Sequence, residues 1–414
     1  MSPPCSTRAP ADRGAMSPRL LVFMFVMPIL WIALHVYMDR RLVRGSALRP
    51  AARLVARIFL VLAAVLPVLA LSSARMGMPP VIARLVTMPG FVLLGLSSVV
   101  MVLLFAIDFG LLGAGLWGRL RLRLRPAAAS SGAPTDPARR GFFGQVANLG
   151  VVGTASGVAG IGVVQIDRTP GVVEVDVPIA GLPAALEGFR IVQMTDIHVG
   201  PTIRGEYLAR CVAVCNGLDA DIVAVTGDLI DGFVEQLRDD VAPLGDLRAK
   251  DGVYFVTGNH EYYWDGPAWC AEVARLGLQV LDNRHVVVER GDARVMIAGV
   301  TDISAGQMVP AHASDPAGAR RGGEGCDLEI LLAHQPRSVF EAAEAGYDLM
   351  ISGHTHGGQY FPMNLLVYLA QPYVAGLERH DDMWIYVSRG TGYWGPPTRV
   401  GSPPEITLLR LVRA

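Results

Sequence analysis

Residues 348–361, DLMISGHTHGGQYF, place two histidines one residue apart within a glycine-rich stretch. The apolar run 349–351 predicts a buried strand, and the polar residues from Gly353 onward predict that the strand ends in a loop. Open α/β sheets place their ligands in loops at the carboxyl ends of strands. Because His354 and His356 lie in such a loop, the stretch indicates a metal site on an α/β fold.

Four other segments have the same form, with an apolar run that ends in Asp, Asn or His. They are GFRIVQMTDIH (188–198), DIVAVTGDLID (221–231), GVYFVTGNHEYY (252–263) and LEILLAHQP (328–336). Five of the nine histidines fall at these strand ends: His198, His260, His334, His354 and His356. Histidines scattered over a surface or a core would not have this distribution, so the pattern predicts one shared site.

The side chains at these strand ends have the chemistry of metal ligands. The candidates are Asp196, His198, Asp228, Asn259, His334, His354 and His356. Carboxylate oxygens combined with imidazoles suit Mn, Fe, Zn or Co. Such a set is too large for one ion with open positions, but it fits two ions about 3.5–4 Å apart that share a carboxylate. Two-metal sites of this kind are used for phosphoryl transfer to water.

In order and spacing, these motifs resemble those of the calcineurin-like metallophosphoesterases. The matching motifs are Asp196-Ile197-His198, Gly227-Asp228, Gly258-Asn259-His260-Glu261, His334 and Gly353-His354-Thr355-His356. The resemblance covers roughly residues 188–412, and the tail 386–411 is similar to that of the membrane-associated bacterial phosphodiesterase branch. It implies an α/β/β/α sandwich, in which two β-sheets face each other between layers of helices.

By position, the resemblance implies a role for each motif residue. One metal would be held by Asp196, His198 and His356 and the other by Asn259, His334 and His354, with Asp228 bridging the two. A metal-bridging hydroxide would attack phosphorus in line. His260, which has no metal role in the family, would stabilise the developing charge or protonate the leaving oxygen. Either Glu261 or Asp231 would orient its imidazole.

The first third of the chain is apolar enough to form a transmembrane region. Three segments are long enough, at about 20 residues, to cross a bilayer, and a fourth is weaker and rich in glycine. The expected helices are 20–38, 58–74, 90–117 and 141–165. The third contains Asp108, a costly residue in a membrane, whose role the sequence leaves open. We therefore expect a transmembrane region over 1–165 and a catalytic domain over 172–414.

The positions of the arginines predict how these helices are oriented. Arginines are concentrated in segments 39–57 and 118–140, and Arg-rich loops face the cytoplasm. This predicts a multi-pass protein of the cytoplasmic membrane whose catalytic domain is extracytoplasmic. The stretch RRGFFGQ (139–145) is either an ordinary flank of this kind or a twin-arginine export signal that delivers the folded domain across the membrane.

Bulk composition gives little support to several other classes of protein. The net charge of −1 offers no basis for nucleic-acid binding. The mean hydropathy of +0.38 reflects the apolar first third of the chain. The five cysteines form no CxxC pair and no metal-like cluster, so we expect them to be structural. The oligomeric state stays open.

Two features near the C-terminus concern the substrate. Arg389 and Arg399 flank the stretch GTGYWGPPT, and both are candidate substrate-binding residues because guanidinium groups bind phosphate well. The apolar segment 360–377 is either a core helix or an exposed patch beside the site. An exposed patch there would suit acyl chains or contact with the bilayer.

These observations predict a membrane-anchored phosphoesterase that uses two divalent metal ions and prefers phosphodiesters of a lipid or an envelope-linked substrate. The preference for diesters follows from related membrane-linked members alone. One alternative is a pyrophosphatase of lipid A synthesis that faces the cytoplasm and acts on a UDP-diacylglucosamine type of substrate. A second is a membrane sensor or scaffold with an idle catalytic domain, and the complete ligand set argues against it.

Overall fold

The structure is a computed structural model that describes residues 18–46, 48–124, 137–166, 168–361 and 363–414. Internal contacts divide this part of the chain into two units. One unit is helical and holds the described residues up to Leu71 together with Val86–Ile161. The other is a mixed α/β unit that contains Ser72–Leu85 and Gly162–Ala414.

Four long helices are found among the described residues up to Gln165. They are α1 (Pro18–Met38), α2 (Pro50–Ser72), α3 (Pro80–Leu124) and α4 (Pro137–Gln165). Each begins with proline, which suits the first helical position because its φ is preset and an N–H there would have no helical partner. A π-helical stretch, Asp39–Arg44, continues α1 toward the next loop.

Three described helices are long and apolar enough to cross a membrane, judged by length and composition. These spans are Pro50–Ser72, Pro80–Leu120 and Gly141–Gln165. Large apolar side chains along the four helices, such as Ile29, Val55 and Phe109, are exposed. Water would solvate such surfaces poorly, whereas the hydrocarbon of a bilayer would cover them.

Two of the helices extend beyond their expected spans. The helix α2 begins at Pro50 rather than at residue 58, so its first turns include Arg53 and Arg57. The helix α3 begins at Pro80 rather than at residue 90 and continues through Pro89. The expected spans rest on the length of the uncharged apolar segments, which identifies the part of a helix that fits a bilayer. The helices themselves continue into the charged residues on either side of these segments.

The carboxylate of Asp108 is paired within the helical unit. It accepts hydrogen bonds from Tyr37 Oη at 2.8 Å and from Arg41 Nε at 3.0 Å. Arg41 also donates to Asn148 Oδ1 at 3.3 Å, and Asn148 Nδ2 donates to the Arg41 carbonyl at 3.1 Å. An acid in an apolar helix is usually paired, and here Arg41 is its partner.

Two six-stranded sheets form the centre of the α/β unit. In spatial order, the first consists of β1 (Gly171–Ile179), β12 (Glu405–Arg413), β2 (Arg190–Met194), β3 (Ile222–Thr226), β4 (Val253–Val256) and β5 (Gln279–Val280). The second consists of β10 (Gly376–His380), β11 (Met383–Val387), β9 (Leu349–Ser352), β8 (Leu328–Leu332), β7 (Ala293–Gly299) and β6 (Arg284–Arg290). Strands β2, β3 and β4 are parallel neighbours, and so are β8 and β9.

Helices cover the outer face of each sheet. They are α5 (Gly205–Asn216), α6 (Val234–Val241), α8 (Gly266–Arg275), α9 (Pro316–Arg320) and α10 (Val339–Ala345). Two further short helices, α7 (Asn259–Tyr263) and α11 (Met363–Leu366), lie in loops that follow strands β4 and β9. Three buried apolar layers separate these elements. Representative residues are Ile191 and Ile351 between the sheets, Val223 and Trp269 on the first sheet's outer face, and Met350 and Val339 on the second sheet's outer face. The expected α/β/β/α sandwich is confirmed.

Backbone hydrogen bonds tie together the loops that follow these strands. Asp196 N donates to Gly227 O at 3.0 Å, which joins the loops after β2 and β3. Gly353 N donates to His334 O at 2.9 Å, which joins the loops after β8 and β9. Gln193 Nε2 donates to Ser352 O at 2.9 Å and so links the two sheets. These hydrogen bonds therefore hold the loops at the strand ends in fixed positions relative to one another.

The segment 360–377 does not form a core helix. Beyond residue 362, which lies outside the described residues, it has one α-helical turn, α11, and a 3₁₀ turn over Val367–Leu369. Leu365 and Leu369 are 61% and 85% exposed. Of the two interpretations of this segment, the exposed apolar patch is the correct one.

The described cysteines behave as core residues. Cys211, Cys215 and Cys270 are buried free thiols, and Cys326 is partly buried. Burial raises the pKa of the Cys211 and Cys215 thiols to about 12, so both remain protonated and unreactive at neutral pH. The structural role expected from the sequence is confirmed for these residues, and Cys5 lies outside the described residues.

Candidate metal centre

Side chains from five loops meet at one end of the α/β unit. Three groups of possible metal ligands lie there, and within each group the ligand atoms are all within 4.8 Å of one another. The groups are Asp196 with His198 and His356, Asp228 with His334 and His354, and His198 with Asp231 and His260. Residues far apart in the sequence therefore converge, as the strand-end pattern predicted for a shared site.

The first group, Asp196, His198 and His356, is buried. His356 Nε2 lies 3.1 Å from His198 Nε2 and 3.5 Å from Asp196 Oδ1. The Asp196 carboxylate accepts hydrogen bonds from Thr195 Oγ1 at 2.8 Å and from the backbone N–H of His354 at 2.9 Å. These bonds hold the carboxylate in place beside two imidazoles.

The second group has Asp228 next to two further imidazoles. Asp228 Oδ2 lies 3.1 Å from His334 Nε2, and His334 Nε2 lies 3.2 Å from His354 Nδ1. His334 Nδ1 lies 2.8 Å from the carbonyl of Thr226 and donates to it. The backbone contact fixes Nδ1 as a donor, so Nε2, which faces Asp228, is the nitrogen that a cation would bind in place of its proton. Asp228 also lies 3.9 Å from His198 Nε2, so it sits between the two groups.

Asn259 and His260 begin the short helix α7 at the end of β4. The Asn259 side chain is buried, and its Oδ1 has no hydrogen-bond partner among the described residues. The backbone N–H of His260 donates to Asp228 Oδ1 at 2.9 Å, which ties this loop to the second group. An unpaired buried carbonyl oxygen costs about 1–3 kcal/mol, a cost that a bound cation would remove.

Asp231 and Glu261 have different partners in the site. Asp231 Oδ1 accepts a 2.5 Å hydrogen bond from His260 Nδ1, and Asp231 Oδ2 lies 3.2 Å from His198 Nδ1. Glu261 instead accepts backbone N–H groups of Gly258 at 2.6 Å, Leu229 at 2.8 Å and Asp228 at 3.0 Å. Asp231 is therefore the residue that touches the imidazole, whereas Glu261 holds the two loops together.

The backbone of the site adopts conformations that are rare for side chains other than glycine. Positive φ angles occur at five candidate ligands: Asp196 (54°), His198 (57°), Asp228 (49°), His354 (72°) and His356 (51°). Such strain persists only where the surroundings enforce it, and it clusters at functional sites. Two positions require glycine because a candidate ligand lies against the backbone. A Cβ at Gly258 would lie 2.2 Å from the carboxylate of Asp228, and a Cβ at Gly353 would lie 2.2 Å from that of Asp196.

Neighbouring charges shift the pKa of several groups in the site. Burial alone would raise the pKa of the Asp228 carboxyl, but the imidazolium charges of His334 and His260 hold it well below its usual range. Burial opposes the charge on His260, yet the carboxylates of Asp228 and Asp231 raise the pKa of His260 to about 9. Burial and the nearby Asp228 raise the pKa of Glu261 to about 7. The Asp228 carboxyl is therefore ionised and lies among imidazoles that carry the compensating positive charge.

The two C-terminal arginines occupy different environments. Arg399 is buried, and its Nη1 donates to His356 Nδ1 at 2.9 Å while Nη2 donates to the carbonyls of Arg389 and Gly390. The Arg389 side chain is partly exposed and pairs with buried Glu405 at 2.9 Å. Burial lowers the pKa of Arg399 to about 10, so the guanidinium remains charged at neutral pH.

Two supporting residues of the site were not identified from the sequence. The first is Arg399 as a partner of His356. The second is Asp302 at the end of β7, whose carboxylate accepts Gln335 Nε2 at 2.9 Å and so holds the residue that follows His334. The sequence did contain a signal for Asp302. The apolar run of β7 is followed by this aspartate, as in the segments that carry the candidate ligands, although it has no histidine.

The residues present fit a centre for divalent cations. The two ligand groups and Asp228 between them offer carboxylate oxygens and imidazole nitrogens, which are ligands for Mn, Fe, Zn or Co. The unpaired Oδ1 of Asn259 adds an amide oxygen. Buried carboxylates are unfavourable unless they are paired, and bound cations would pair them in place of the imidazolium protons.

Comparisons with known proteins agree with this chemistry. A family model described as calcineurin-like phosphoesterase matches residues 189–358. A Danio rerio protein described as a transmembrane protein with metallophosphoesterase domain is 38% identical over 330 residues, which cover 77% of this chain and 72% of that protein. Because this stretch is longer than residues 172–414, the likeness extends into the helical part of the chain.

Two further relatives show how widely the likeness is distributed. A Bos taurus protein with the same description is 41% identical over 268 residues, which cover 61% of this chain and 60% of that protein. An uncharacterized metallophosphoesterase of Helicobacter pylori is 37% identical over 225 residues, or 54% of this chain and 60% of that protein. The chain thus spans about three-fifths of the length of each of these two relatives.

Proposed function

The chain belongs to the calcineurin-like phosphoesterase family, and on this premise we propose that it is a membrane-anchored, two-metal phosphoesterase that hydrolyses phosphodiester bonds of a lipid or an envelope-linked substrate. The observation that carries the proposal is the convergence of two ligand groups, each with its ligand atoms within 4.8 Å of one another, with Asp228 of the second group 3.9 Å from His198 of the first. A scaffold with an idle catalytic domain would have no use for this arrangement.

In this proposal each ligand group holds one divalent cation. Asp196, His198 and His356 would hold the first, Asn259, His334 and His354 would hold the second, and Asp228 would be shared by both. Bound there, two cations supply Lewis acidity toward a phosphoryl oxygen and lower the pKa of water. The protein fixes the ligands beforehand through the backbone and carbonyl contacts of Asp196 and His334.

His260 is the proposed proton donor. Its Nδ1 is held by Asp231 at 2.5 Å, so the opposite ring nitrogen, Nε2, faces the candidate metal centre and lies 3.9 Å from Asp228 Oδ2. As the bond between phosphorus and the leaving oxygen breaks, a proton passes from His260 Nε2 to that oxygen. Burial opposes the imidazolium, but the Asp228 and Asp231 carboxylates stabilise it before this transfer and so raise the pKa of His260.

The contacts of the two arginines support different roles. The donors of Arg399 are directed at His356 and at two backbone carbonyls, so we propose that it positions a metal ligand rather than binding phosphate. The partly exposed guanidinium of Arg389 is the better candidate for contact with the phosphate of a substrate.

An exposed apolar patch next to the metal loop supports a lipid substrate. The patch consists of Phe361, Met363, Leu365, Leu366, Tyr368 and Leu369, all exposed. It is joined to the metal loop by short backbone bonds, since Tyr360 N donates to Gly358 O at 2.6 Å and Asn364 N donates to Tyr360 O at 3.1 Å. Exposed apolar surface of this extent is characteristic of a binding site, and acyl chains or bilayer lipid would cover it.

A triple variant in which Leu365, Leu366 and Leu369 are each replaced by Ser is expected to lose about tenfold or more of the activity on lipid phosphodiesters. The loss is expected because the variant has less apolar contact area with the substrate. Activity on a soluble chromogenic diester, bis(p-nitrophenyl) phosphate, is expected to remain within about twofold, since its small leaving group does not need the patch. The measurement compares kcat/KM for both substrates, using full-length metal-loaded protein and a panel of lipids in mixed micelles that includes phosphatidylglycerol.

Phe340→Ser provides the matched control for this experiment, since Phe340 is an exposed apolar residue of α10 outside the patch. The control is expected to leave both activities unchanged. Equal losses on the lipid and the soluble diester in the triple variant would show that the patch serves packing, and the lipid part of the proposal would be wrong. Loss of all activity together with a lowered melting temperature would have the same meaning.

We further propose that the catalytic unit is extracytoplasmic, as the Arg-rich segments 39–57 and 118–140 favour. A protease added outside intact cells is expected to cleave a site inserted at an exposed loop such as the turn around Asp381. A site inserted in the segment 118–140 is expected to be protected. Cleavage in the opposite pattern would favour the cytoplasmic pyrophosphatase acting on a nucleotide-linked acyl sugar.

A further inference from the structure

A cavity of about 810 Å³ lies within the helical unit. Its walls are mostly apolar, and representative lining residues are Leu42, Ala56, Phe59, Leu96, Val100 and Val152. The volume falls in the range of about 300–1,000 Å³ that is typical of small-molecule sites. In a bilayer the surrounding solvent is lipid, so an apolar cavity among apolar helices is open to acyl chains rather than to water.

One end of this cavity is close to a strongly basic segment. Residues 39–57 contain six arginines and one aspartate, and the lining residues Leu42, Ser46 and Leu48 belong to this segment. Three of the arginines have a carboxylate partner: Arg41 pairs with Asp108, and Arg44 and Arg57 pair with Asp39. The other three, Arg40, Arg49 and Arg53, have no ion-pair partner within the described ranges. The segment therefore carries an excess of positive charge at the mouth of the cavity.

Two of these arginines, Arg49 and Arg53, are direct sequence neighbours of residues that line the cavity. Residues Ala52, Ala56, Phe59 and Ala63 of α2 line the cavity at helical spacing. Arg49 directly precedes α2, follows the lining residue Leu48, and accepts the backbone N–H of Arg53 at its carbonyl at 2.9 Å. Arg53 Nη2 lies 3.5 Å from the carbonyl of Leu48, a lining residue, and Arg53 Nε is buried with no hydrogen-bond partner among the residues described. A buried, unpaired guanidinium nitrogen calls for an acceptor.

We propose that this cavity binds an anionic phospholipid of the surrounding bilayer. The acyl chain lies among the apolar residues of α2, α3 and α4, and the phosphate accepts hydrogen bonds from Arg49 and Arg53. Guanidinium groups pair well with phosphate oxygens, and basic pockets at the membrane boundary of helices favour anionic headgroups. This site lies wholly within the helical unit and is independent of the metal centre and of the proposed reaction.

The test uses full-length protein equilibrated with equal amounts of phosphatidylglycerol and phosphatidylcholine, followed by native mass spectrometry of the lipids that stay bound. Wild-type protein is expected to retain phosphatidylglycerol over phosphatidylcholine by roughly fivefold or more. The double variant Arg49→Gln/Arg53→Gln is expected to retain the two lipids in nearly equal amounts. The exposed arginines Arg84 and Arg119 lie outside segment 39–57 and have no lining residue next to them in the sequence, so Arg84→Gln/Arg119→Gln is the matched control and is expected to keep the preference.

A second pair of variants locates the lipid. Ala56→Phe fills the cavity and is expected to lower the retention of both lipids, whereas Val61→Phe on the exposed face of α2 is expected to change nothing. The proposal is overturned if wild-type protein shows no headgroup preference or retains no lipid. It is likewise overturned if the control double variant loses the preference as fully as Arg49→Gln/Arg53→Gln, or if Ala56→Phe retains as much lipid as wild type.

Discussion

An Asp228→Asn variant is expected to lose about three orders of magnitude or more in kcat/KM toward any phosphoester that the wild-type protein hydrolyses. Asp228 lies 3.1 Å from His334 Nε2 and 3.9 Å from His198 Nε2, so its carboxylate faces both ligand groups. An amide has the same shape and can still accept the N–H of His260, but it lacks the charge that two cations require. Losing several kcal/mol of charge stabilisation in the transition state corresponds to a loss of this size.

The same variant is expected to bind less metal, which separates a failed centre from a misfolded protein. Metal content per chain, measured by inductively coupled plasma mass spectrometry, should fall below two in Asp228→Asn while the melting temperature of the metal-free protein stays close to wild type. Asp382→Asn is the control, because that carboxylate is fully exposed and remote from the ligand groups. Wild-type activity of Asp228→Asn at an unchanged metal content would contradict the two-metal proposal.

Much of the fold, and many of the side chains that converge at the candidate site, could be predicted because the signals are local. An apolar run followed at once by Asp, Asn or His is visible within about ten residues, as in DIVAVTGDLID, and parallel strands bring their carboxyl ends to one edge. Long apolar segments likewise reveal helices that fit a bilayer, since their length is set by its thickness. These features depend on neighbouring residues and not on which distant loops meet.

The unpredicted contacts all join residues that are far apart in the sequence. Whether Asp231 or Glu261 holds His260 depends on how the loop after β3 packs against the loop after β4. The pairing of Arg399 with His356 spans 43 residues, and that of Arg41 with Asp108 spans 67. Sequence pattern identifies candidates for such pairs, but only tertiary packing selects among them.

The apolar segment 360–377 shows a different reason for ambiguity. A short run of apolar residues without clear periodicity is compatible with a buried helix and with an exposed surface. The structure favours the exposed surface, because only one α-helical turn forms, at Met363–Leu366, and because Leu365 and Leu369 remain exposed. Here apolar residues are exposed next to a candidate active site, contrary to the usual burial of such residues. At such a position we expect function, rather than folding, to determine the sequence.

His260→Gln is expected to lower kcat by about 10²–10⁴-fold on an alkyl phosphodiester and by far less on bis(p-nitrophenyl) phosphate. An alkoxide is a poor leaving group and needs a proton as its bond to phosphorus breaks, whereas p-nitrophenolate leaves without one. Because Asp231 holds His260 Nδ1 at 2.5 Å and stabilises the imidazolium, Asp231→Asn is expected to show the same dependence with a smaller loss of about 10–100-fold.

Glu261→Gln distinguishes proton transfer from general damage to the site. Glu261 accepts the backbone N–H groups of Gly258, Leu229 and Asp228 rather than a proton of the His260 imidazole. Its replacement should therefore affect hydrolysis of both esters alike. The measurement is the ratio of kcat on the two substrates for each variant, together with its metal content. If His260→Gln lowers both activities equally at full metal content, His260 stabilises or positions the phosphate and is not the proton donor. A large difference between the esters, shared by Asp231→Asn and absent from Glu261→Gln, would assign proton transfer to the pair formed by His260 and Asp231.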